Sequence, residues 1–140
     1  MGPTKTNFFR RYAIVTFSLL FFATGLSAQD ATSNEVVYQE WQLLGESPKI
    51  IDVSARVVAC DDVKQILLNV FNENTIDQDI NFTITVKNTD GNQITKTINL
   101  SIANMQMHVA KCGDNTFDNI KINIPDGYDA SKVKLSIVFN

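Results

Sequence analysis

Acidic side chains gather in two predicted loops near the end of the chain. Asp114 and Asp118 lie in one loop, and Asp126 and Asp129 lie in the next. Ca²⁺ takes carboxylate and amide oxygens as ligands, so these four residues are the calcium candidates. Asp and Asn are also ordinary turn formers, because their side chains hydrogen-bond to the neighbouring backbone. We therefore expect solvated turns here, with no resident metal and no cofactor.

Catalytic groups are scarce in this sequence. The one histidine, His108, stands in no local arrangement with a Ser or Cys nucleophile, and one histidine cannot build a multi-histidine metal site. Asp61-Asp62 and Asp77–Asp79 hold neighbouring carboxylates of the kind that glycosidases use. Neighbours on a turn or strand point in different directions, however, so solvated turns explain them better. We predict no catalytic residues and no enzymatic activity.

The first 28 residues have the pattern of a secretory signal peptide. Lys5, Arg10 and Arg11 give a basic start, and residues 13–26 are almost entirely apolar. Small residues then precede an expected cleavage site after Ala28. The apolar run of 14 residues is shorter than the roughly 20 that span a bilayer. Its length therefore disfavours the alternative, an uncleaved anchor.

Removal of the signal peptide leaves residues 29–35 as a polar, flexible leader and residues 36–140 as one folded domain. Nine of the 12 basic residues and all 15 acidic residues follow residue 28, which gives the exported chain a net charge of -6. Nucleic-acid binding needs a clustered basic surface and is therefore disfavoured. We expect a location in the periplasm, at the periphery of the outer membrane or outside the cell, with no transmembrane span after cleavage.

Cys60 and Cys112 are an even pair of cysteines in a chain with a secretory signal, which predicts a disulfide. Closing a loop of about 50 residues stabilises a fold by roughly 4 kcal/mol in the chain-entropy model. The alternatives are a redox pair or a metal site. Redox pairs usually stand close together as Cys-x-x-Cys, and the sequence has no such motif.

Apolar and polar residues alternate with a period of two over most of the domain, which is typical of β-strands. Turn-forming clusters separate about eight such segments, so we predict an all-β, antiparallel, immunoglobulin-like β-sandwich of about seven to eight strands. An outer-membrane barrel would carry aromatic girdles, and the seven aromatic residues after residue 28 are too few for them. The predicted strands are Val36–Leu44, Ile51–Ala59, Ile66–Phe71, Ile80–Val86, Ile94–Ile102, Met105–Lys111, Ile120–Ile124 and Val133–Phe139.

The hairpin that contains Gly91 can be given a register from its sequence. Inward side chains must lie opposite inward side chains, and a three-residue loop, Thr89–Gly91, achieves this by pairing Val86 with Ile94. Gly91 supplies the positive φ that ends such a loop. The same register places Lys96 among inward residues, so we expect Lys96 to lie near a sheet edge or to extend its ammonium group outward.

Two groups of residues are candidates for contact surfaces. Tyr38 and Trp41 stand on opposite parities of the first strand, so we expect one ring to pack in the core and the other to be an exposed partner contact. Tyr128 is a further partner-contact candidate. The hairpin also presents a flat face of hydroxyl and amide groups that either binds a sugar or a partner or faces solvent. Its members are Asn81, Thr83, Thr85, Thr95, Thr97, Asn99 and Ser101.

The placement of the cysteines resembles the pin between the second and sixth strands of immunoglobulin domains. Two other features of that family are absent, because Trp41 precedes both cysteines and Ala110 stands where a Tyr is expected. The chain is also similar to small exported immunoglobulin-like β-sandwich proteins that are common in Bacteroidota, mostly of unassigned function. The segments that carry this second resemblance are Ser27-Ala28-Gln29, Tyr38-Gln39-Glu40-Trp41, Val57–Cys60 with Val63–Val70, and Phe71-Asn72-Glu73-Asn74.

The resemblance implies a cell-envelope setting and no particular activity. We therefore expect a non-enzymatic exported β-sandwich that acts as an accessory or structural protein-binding component of the envelope. Its partner would be an envelope protein or complex, bound when the first strand (Val36–Leu44) or the last (Val133–Phe139) pairs with a strand of that partner. The alternative is a carbohydrate-binding or calcium-dependent ligand-binding module.

Overall fold

The computed structural model describes residues 34–140, and the predicted signal peptide lies outside them. Leader residues 29–33 also lie outside, whereas Glu35, the last residue assigned to the leader, already begins the first strand. The strands are β1 (Glu35–Glu46), β2 (Ile51–Cys60), β3 (Val63–Asn72), β4 (Gln78–Lys87), β5 (Gln93–Ile102), β6 (Met107–Val109), β7 (Lys121–Asn123) and β8 (Lys134–Phe139). One turn of 3₁₀ helix, Asp118–Ile120, precedes β7.

The eight strands form two antiparallel sheets, which confirms the predicted all-β sandwich class. The first sheet has the order β1-β2-β3-β6, and the short β7 also pairs with β3. The second sheet has the order β5-β4-β8. Within residues 34–140, no helix has the length and apolar character needed to cross a membrane.

The core lies where the inward faces of β2, β3 and β4 meet. In β2, the residues at alternate positions from Ile51 to Val57 are completely buried, as the alternation predicts. Phe82 of β4 is the largest of the fully buried side chains, and its ring meets that of Phe139 edge-on at 6.1 Å between centroids. Burying an aliphatic or aromatic side chain of this size contributes roughly 1.5–3 kcal/mol.

The β4–β5 hairpin has the predicted register. Val86 lies opposite Ile94, and Gly91 has a φ of 91°. Lys96 lies opposite Ile84 on the edge strand β5, and its ammonium group leaves the interior to donate a 2.6 Å hydrogen bond to the carbonyl oxygen of Lys121. Desolvation by burial lowers the pKa of Lys96, and the nearby Asp118 carboxylate partly opposes that shift.

Polar side chains tie the two sheets together along both margins of the sandwich. On one margin, the Gln39 amide of β1 donates hydrogen bonds of 3.0 Å to the carbonyl oxygens of Ala130 and Val133, just before β8. On the other margin, the bond from Lys96 joins β5 to β7. The sandwich therefore has β1 beside β8 on one side and β5 beside β7 on the other.

The predicted disulfide between Cys60 and Cys112 is confirmed, with 5.4 Å between the two Cα atoms and a sequence separation of 52. Cys60 ends β2, and Cys112 follows β6, which is only three residues long. Both strands belong to the first sheet, so the bridge does not join the two sheets as it does in an antibody domain. The resemblance to the immunoglobulin pin is therefore one of sequence order and not of position.

Candidate functional site

The first strand presents a row of apolar side chains to solvent. Val37, Tyr38, Trp41 and Leu43 are all more than a third exposed, and we call these four residues the β1 face. The rings of Tyr38 and Trp41 are 38% and 39% exposed, and they are the exposed aromatic rings of residues 34–140. Aromatic side chains are enriched at the centres of protein interfaces, so the β1 face is the leading candidate for a contact surface.

The expectation that one of these two rings packs in the core is wrong, and irregular pairing explains why. The register between β1 and β2 shifts between Val37 and Gln39, again between Gln39 and Gln42, and a third time between Leu43 and Gly45. Each bulge inserts an extra residue, so the strict alternation of faces is lost along β1. The difference in parity between Tyr38 and Trp41 therefore does not place their rings on opposite faces of the sheet, and both rings are exposed.

Trp41 is held in place by a cation beneath it. The guanidinium carbon of Arg56 lies 5.1 Å from the centre of the Trp41 ring, and Arg56 also forms a 2.8 Å ion pair with Glu35. Arg56 is therefore fixed from two sides by residues of β1. A Trp positioned in this way is already oriented for contact with a partner, which reduces the entropy lost on binding.

The surface of β2 and β3 next to the β1 face carries polar atoms without hydrogen-bond partners. Within residues 34–140 these are the buried Oδ1 atoms of Asp52 and Asn69 and Nε of Arg56. Asp52 and Arg56 share the parity of Ser54 in β2, and Asn69 of β3 lies opposite Ser54 in the register. All three side chains therefore belong to the outward positions of the first sheet. Leaving such groups unpaired costs free energy.

Tyr128, the third predicted contact residue, lies in the loop before β8 and packs against the hydrophobic core. Its carbonyl oxygen accepts a 3.1 Å hydrogen bond from the ammonium group of Lys64. The half-buried ring is thus used for packing, and Tyr128 is not part of the β1 face.

Two of the four calcium candidates, Asp129 and Asp114, accept hydrogen bonds within their own turns. Asp129 accepts hydrogen bonds from Ser131 and pairs with Lys132, and these contacts lower its pKa to about 2. Asp114 accepts bonds from the hydroxyl and backbone N–H of Thr116, which lower its pKa. The remaining two are Asp118, which forms a 2.8 Å ion pair with Lys121, and the exposed Asp126. Across residues 34–140, no three acidic, His or Cys residues are grouped so that they could hold a metal ion.

The ring of His108 packs against an aromatic neighbour. It stacks on Phe117 at 4.5 Å between centroids, and burial lowers the pKa of the imidazole. A lowered pKa keeps the ring neutral at pH 7, which suits stacking on an aromatic neighbour.

The predicted polar face lies on the outer side of the second sheet. Asn81, Thr83 and Thr85 of β4 lie opposite Asn99, Thr97 and Thr95 of β5, and the two central hydroxyl groups are 3.0 Å apart. A shallow depression of about 550 Å³ adjoins it, and its lining includes Asn99, Ser101 and Asn140. Within the described chain no exposed aromatic ring accompanies this face, since both exposed rings lie on β1.

A second exposed apolar group was not predicted. Ile50, Ile76 and Met105 lie in three different loops at one end of the sandwich, and we call them the apolar tip. Ile76 lies among turn formers, Ile50 directly precedes the predicted strand Ile51–Ala59, and Met105 begins the predicted strand Met105–Lys111, although β6 begins only at Met107. Sequence alone does not show that these three positions lie at one end of the sandwich.

Comparison with known proteins found no family model, no curated protein and no solved structure that matches this chain.

Proposed function

We propose that this chain is a non-enzymatic, exported β-sandwich that binds a protein of the cell envelope through the β1 face. The observation that carries the proposal is the set of exposed apolar side chains on one strand, with Trp41 seated over Arg56. The Cys60–Cys112 disulfide supports an oxidising location outside the cytosol. Through this binding, the chain would serve as an accessory or structural component of the envelope.

The chemistry of β1 indicates what the partner surface would offer. The strand carries three glutamates, Glu35, Glu40 and Glu46, and no lysine or arginine. Two copies of β1 placed against each other would bring these carboxylates together, which is unfavourable. A partner with apolar side chains and basic residues suits the strand better than a second copy of the chain does.

The experiment is a quantitative pull-down of the tagged full-length chain from gently solubilised envelopes of its native cell. We compare the unaltered chain with Trp41→Ala/Leu43→Ala and with a control, Val138→Ala, which removes an exposed apolar side chain from the second sheet. A buried interfacial Trp is commonly worth 2 kcal/mol or more, so we expect recovery of a stoichiometric partner to fall at least about tenfold in the first variant only.

Two results would contradict the proposal. One is the absence of any stoichiometric partner of the unaltered chain, and the other is equal loss in the Trp41→Ala/Leu43→Ala and Val138→Ala variants. Melting curves of all three proteins show whether a lost interaction reflects lost folding instead.

A second candidate function, carbohydrate binding, is supported by the polar face and the depression beside it. Amide and hydroxyl groups such as those of Asn99, Ser101 and Asn140 can hydrogen-bond to sugar hydroxyls. Calorimetric titration with soluble peptidoglycan fragments and neutral oligosaccharides tests it, with Asn99→Ala as the matched variant. Heat that disappears in Asn99→Ala would favour this function, and addition of millimolar Ca²⁺ to the same samples tests the calcium-dependent form.

A further inference from the structure

The apolar tip is formed by three loops that hold each other by backbone hydrogen bonds. The N–H of Glu73 donates to the carbonyl oxygen of Ile50 at 3.2 Å, and the N–H of Met105 donates to that of Asn74 at 3.0 Å. The β3–β4 loop therefore lies between the β1–β2 loop and the β5–β6 loop. Ile50, Ile76 and Met105 remain 47%, 63% and 56% exposed at this end.

A buried asparagine fixes the position of the tip. Asn72 is completely buried at the end of β3, and its amide nitrogen donates to the carbonyl oxygens of Ile76, Ile102 and Ala103. Its carbonyl oxygen accepts a 3.0 Å hydrogen bond from the N–H of Asn74. Asn72 thus joins the loops of Ile76 and Met105, and the backbone of Glu73 joins that of Ile50. Loops that are already held together in this way lose less conformational entropy when a partner binds them.

Two of the three side chains are displayed by a backbone conformation that L-residues rarely adopt. Ile50 and Met105 both have a φ of 54°, and a branched residue such as Ile is disfavoured there. Strained backbone of this kind persists where the surrounding structure enforces it, and it is concentrated at functional sites. Here the strain does not serve burial, because it leaves both side chains in solvent.

The charge around the tip indicates the kind of surface that would cover it. Residues 46–50, 73–79 and 103–106 contain four acidic residues and one lysine, a net charge of -3. An anionic lipid surface and a second copy of the same tip would both be repelled by these carboxylates. Lysine or arginine side chains around an aliphatic pocket would complement them.

We infer that the apolar tip is a second docking site, which inserts Ile50, Ile76 and Met105 into an aliphatic pocket rimmed by basic residues on a partner protein. This site is separate from the β1 face and does not depend on it. The inference assigns the tip a partner of its own, independent of the protein that binds the β1 face.

The probe is a photoreactive diazirine amino acid placed at position 76 of the full-length chain in its native cells. The matched control places the same amino acid at position 138, which is equally exposed on the second sheet. We expect a discrete protein adduct from position 76 and not from position 138. We also expect the cross-linked partner peptide to carry Lys or Arg beside its aliphatic contact residues.

Charge reversal then tests the complementarity. Glu73→Lys should lower the yield of the adduct at least fivefold, whereas Asp126→Lys, the same change at an exposed position in another loop, should leave it unchanged. Trp41→Ala should leave it unchanged as well, which separates this site from the β1 face. Melting curves of the labelled and charge-reversed proteins must match that of the unaltered chain.

Several outcomes would overturn the inference. They are no discrete adduct at position 76, an adduct whose partner peptide lacks basic residues, and equal yields in Glu73→Lys and Asp126→Lys. Co-sedimentation of the purified chain with phosphatidylcholine vesicles that is lost in Ile76→Ser would assign the tip to a lipid surface instead and would also overturn it.

Discussion

The buried Asn72 offers the sharpest test of the forces that hold this fold. Replacing it by Ala removes the amide that serves the carbonyl oxygens of Ile76, Ile102 and Ala103, together with the acceptor for the N–H of Asn74. The bond to Ile102 is buried, so its carbonyl would lose its partner without access to water. One such loss costs about 1–3 kcal/mol, and the other groups are only partly buried. We expect Asn72→Ala to cost about 3 kcal/mol.

Asn72→Asp separates hydrogen bonding from volume, because the two side chains have nearly the same shape. An ionised carboxylate at this fully buried position would face carbonyl oxygens, so its pKa in the folded state must rise above the unfolded value of about 3.9. Because the folded pKa is raised, the variant keeps its full stability below the unfolded pKa, where the carboxyl group is protonated in both states. Stability is then lost as the pH rises toward the folded pKa. The loss can reach about 1.4 kcal/mol per pH unit in that window.

The assay is urea unfolding followed by circular dichroism at pH 4 and pH 7, with the change in the unaltered protein subtracted. Asn69→Ala is the matched control on the same strand, because Asn69 Oδ1 has no partner within residues 34–140. We expect Asn69→Ala to lower the free energy of unfolding by less than about 1 kcal/mol. The reasoning would be refuted by a similar cost for Asn72→Ala and Asn69→Ala, or by a penalty for Asn72→Asp that does not grow with pH.

Three further predictions address other features of the fold. Cys60→Ala/Cys112→Ala should lower the free energy of unfolding by about 4 kcal/mol, since the 52-residue separation of the cysteines sets the entropy that the bridge removes from the unfolded chain; a loss below about 1 kcal/mol in urea unfolding would contradict it. Gly91→Ala should cost about 1 kcal/mol, because the φ of 91° opposes a side chain although no atom stands within 4 Å of the added Cβ; an unchanged unfolding midpoint would oppose this. The Asp129 carboxyl should titrate near pH 2 by NMR, so its contribution to stability is present above the unfolded pKa of about 3.9 and is lost as the pH falls toward 2. Ser131→Ala should raise that pKa toward 3.8, and no movement would show that the hydroxyl is not its cause.

Local alternation predicted those parts of the fold in which each strand is regular. The register of the β4–β5 hairpin follows from a single condition, that Val86 and Ile94 share the inward face, and the structure has that register. The same condition placed Lys96 among apolar neighbours. The ammonium group of Lys96 finds its partner in a carbonyl oxygen of β7, a strand that the hairpin sequence does not contain.

Alternation failed in β1, where irregular pairing with β2 accompanies contacts with distant segments of the chain. Gly45 passes close to β8, where an added Cβ would lie 3.1 Å from Ile137. The Gln39 amide is likewise held by carbonyl groups that precede β8. Contacts of this kind between distant segments accompany the register shifts of β1, and they carry no signal in residues 35–46 themselves. The prediction that one of the two rings, Tyr38 or Trp41, packs in the core was therefore wrong.

The role of Asn72 was concealed by its residue type. In a cluster that continues with Asn74 and several polar residues, an asparagine indicates a turn. Its parity gave the better signal, because Asn72 shares the inward positions of β3 with Ile66, Leu68 and Val70. A polar residue at an inward position must find hydrogen-bond partners inside the protein. The β3–β4 loop, the end of β5 and the β5–β6 loop supply them here, and none of these segments can be identified from the strand alone.

The way in which the edges of the sheets are protected decides how a partner would bind. An exposed strand edge invites pairing with another chain, and inward charges, very short strands and bulges all reduce that tendency. The edge strand β5 is protected by the charge of Lys96. The strands β6 and β7 have only three residues each, and β1 carries its register shifts. The bulged backbone of β1 thus presents a poor edge for the strand addition expected from the sequence, whereas its side chains remain exposed. A partner of the β1 face would therefore gain its affinity from Trp41 and Leu43 and not from a ladder of backbone hydrogen bonds, which is why the pull-down compares side-chain truncations.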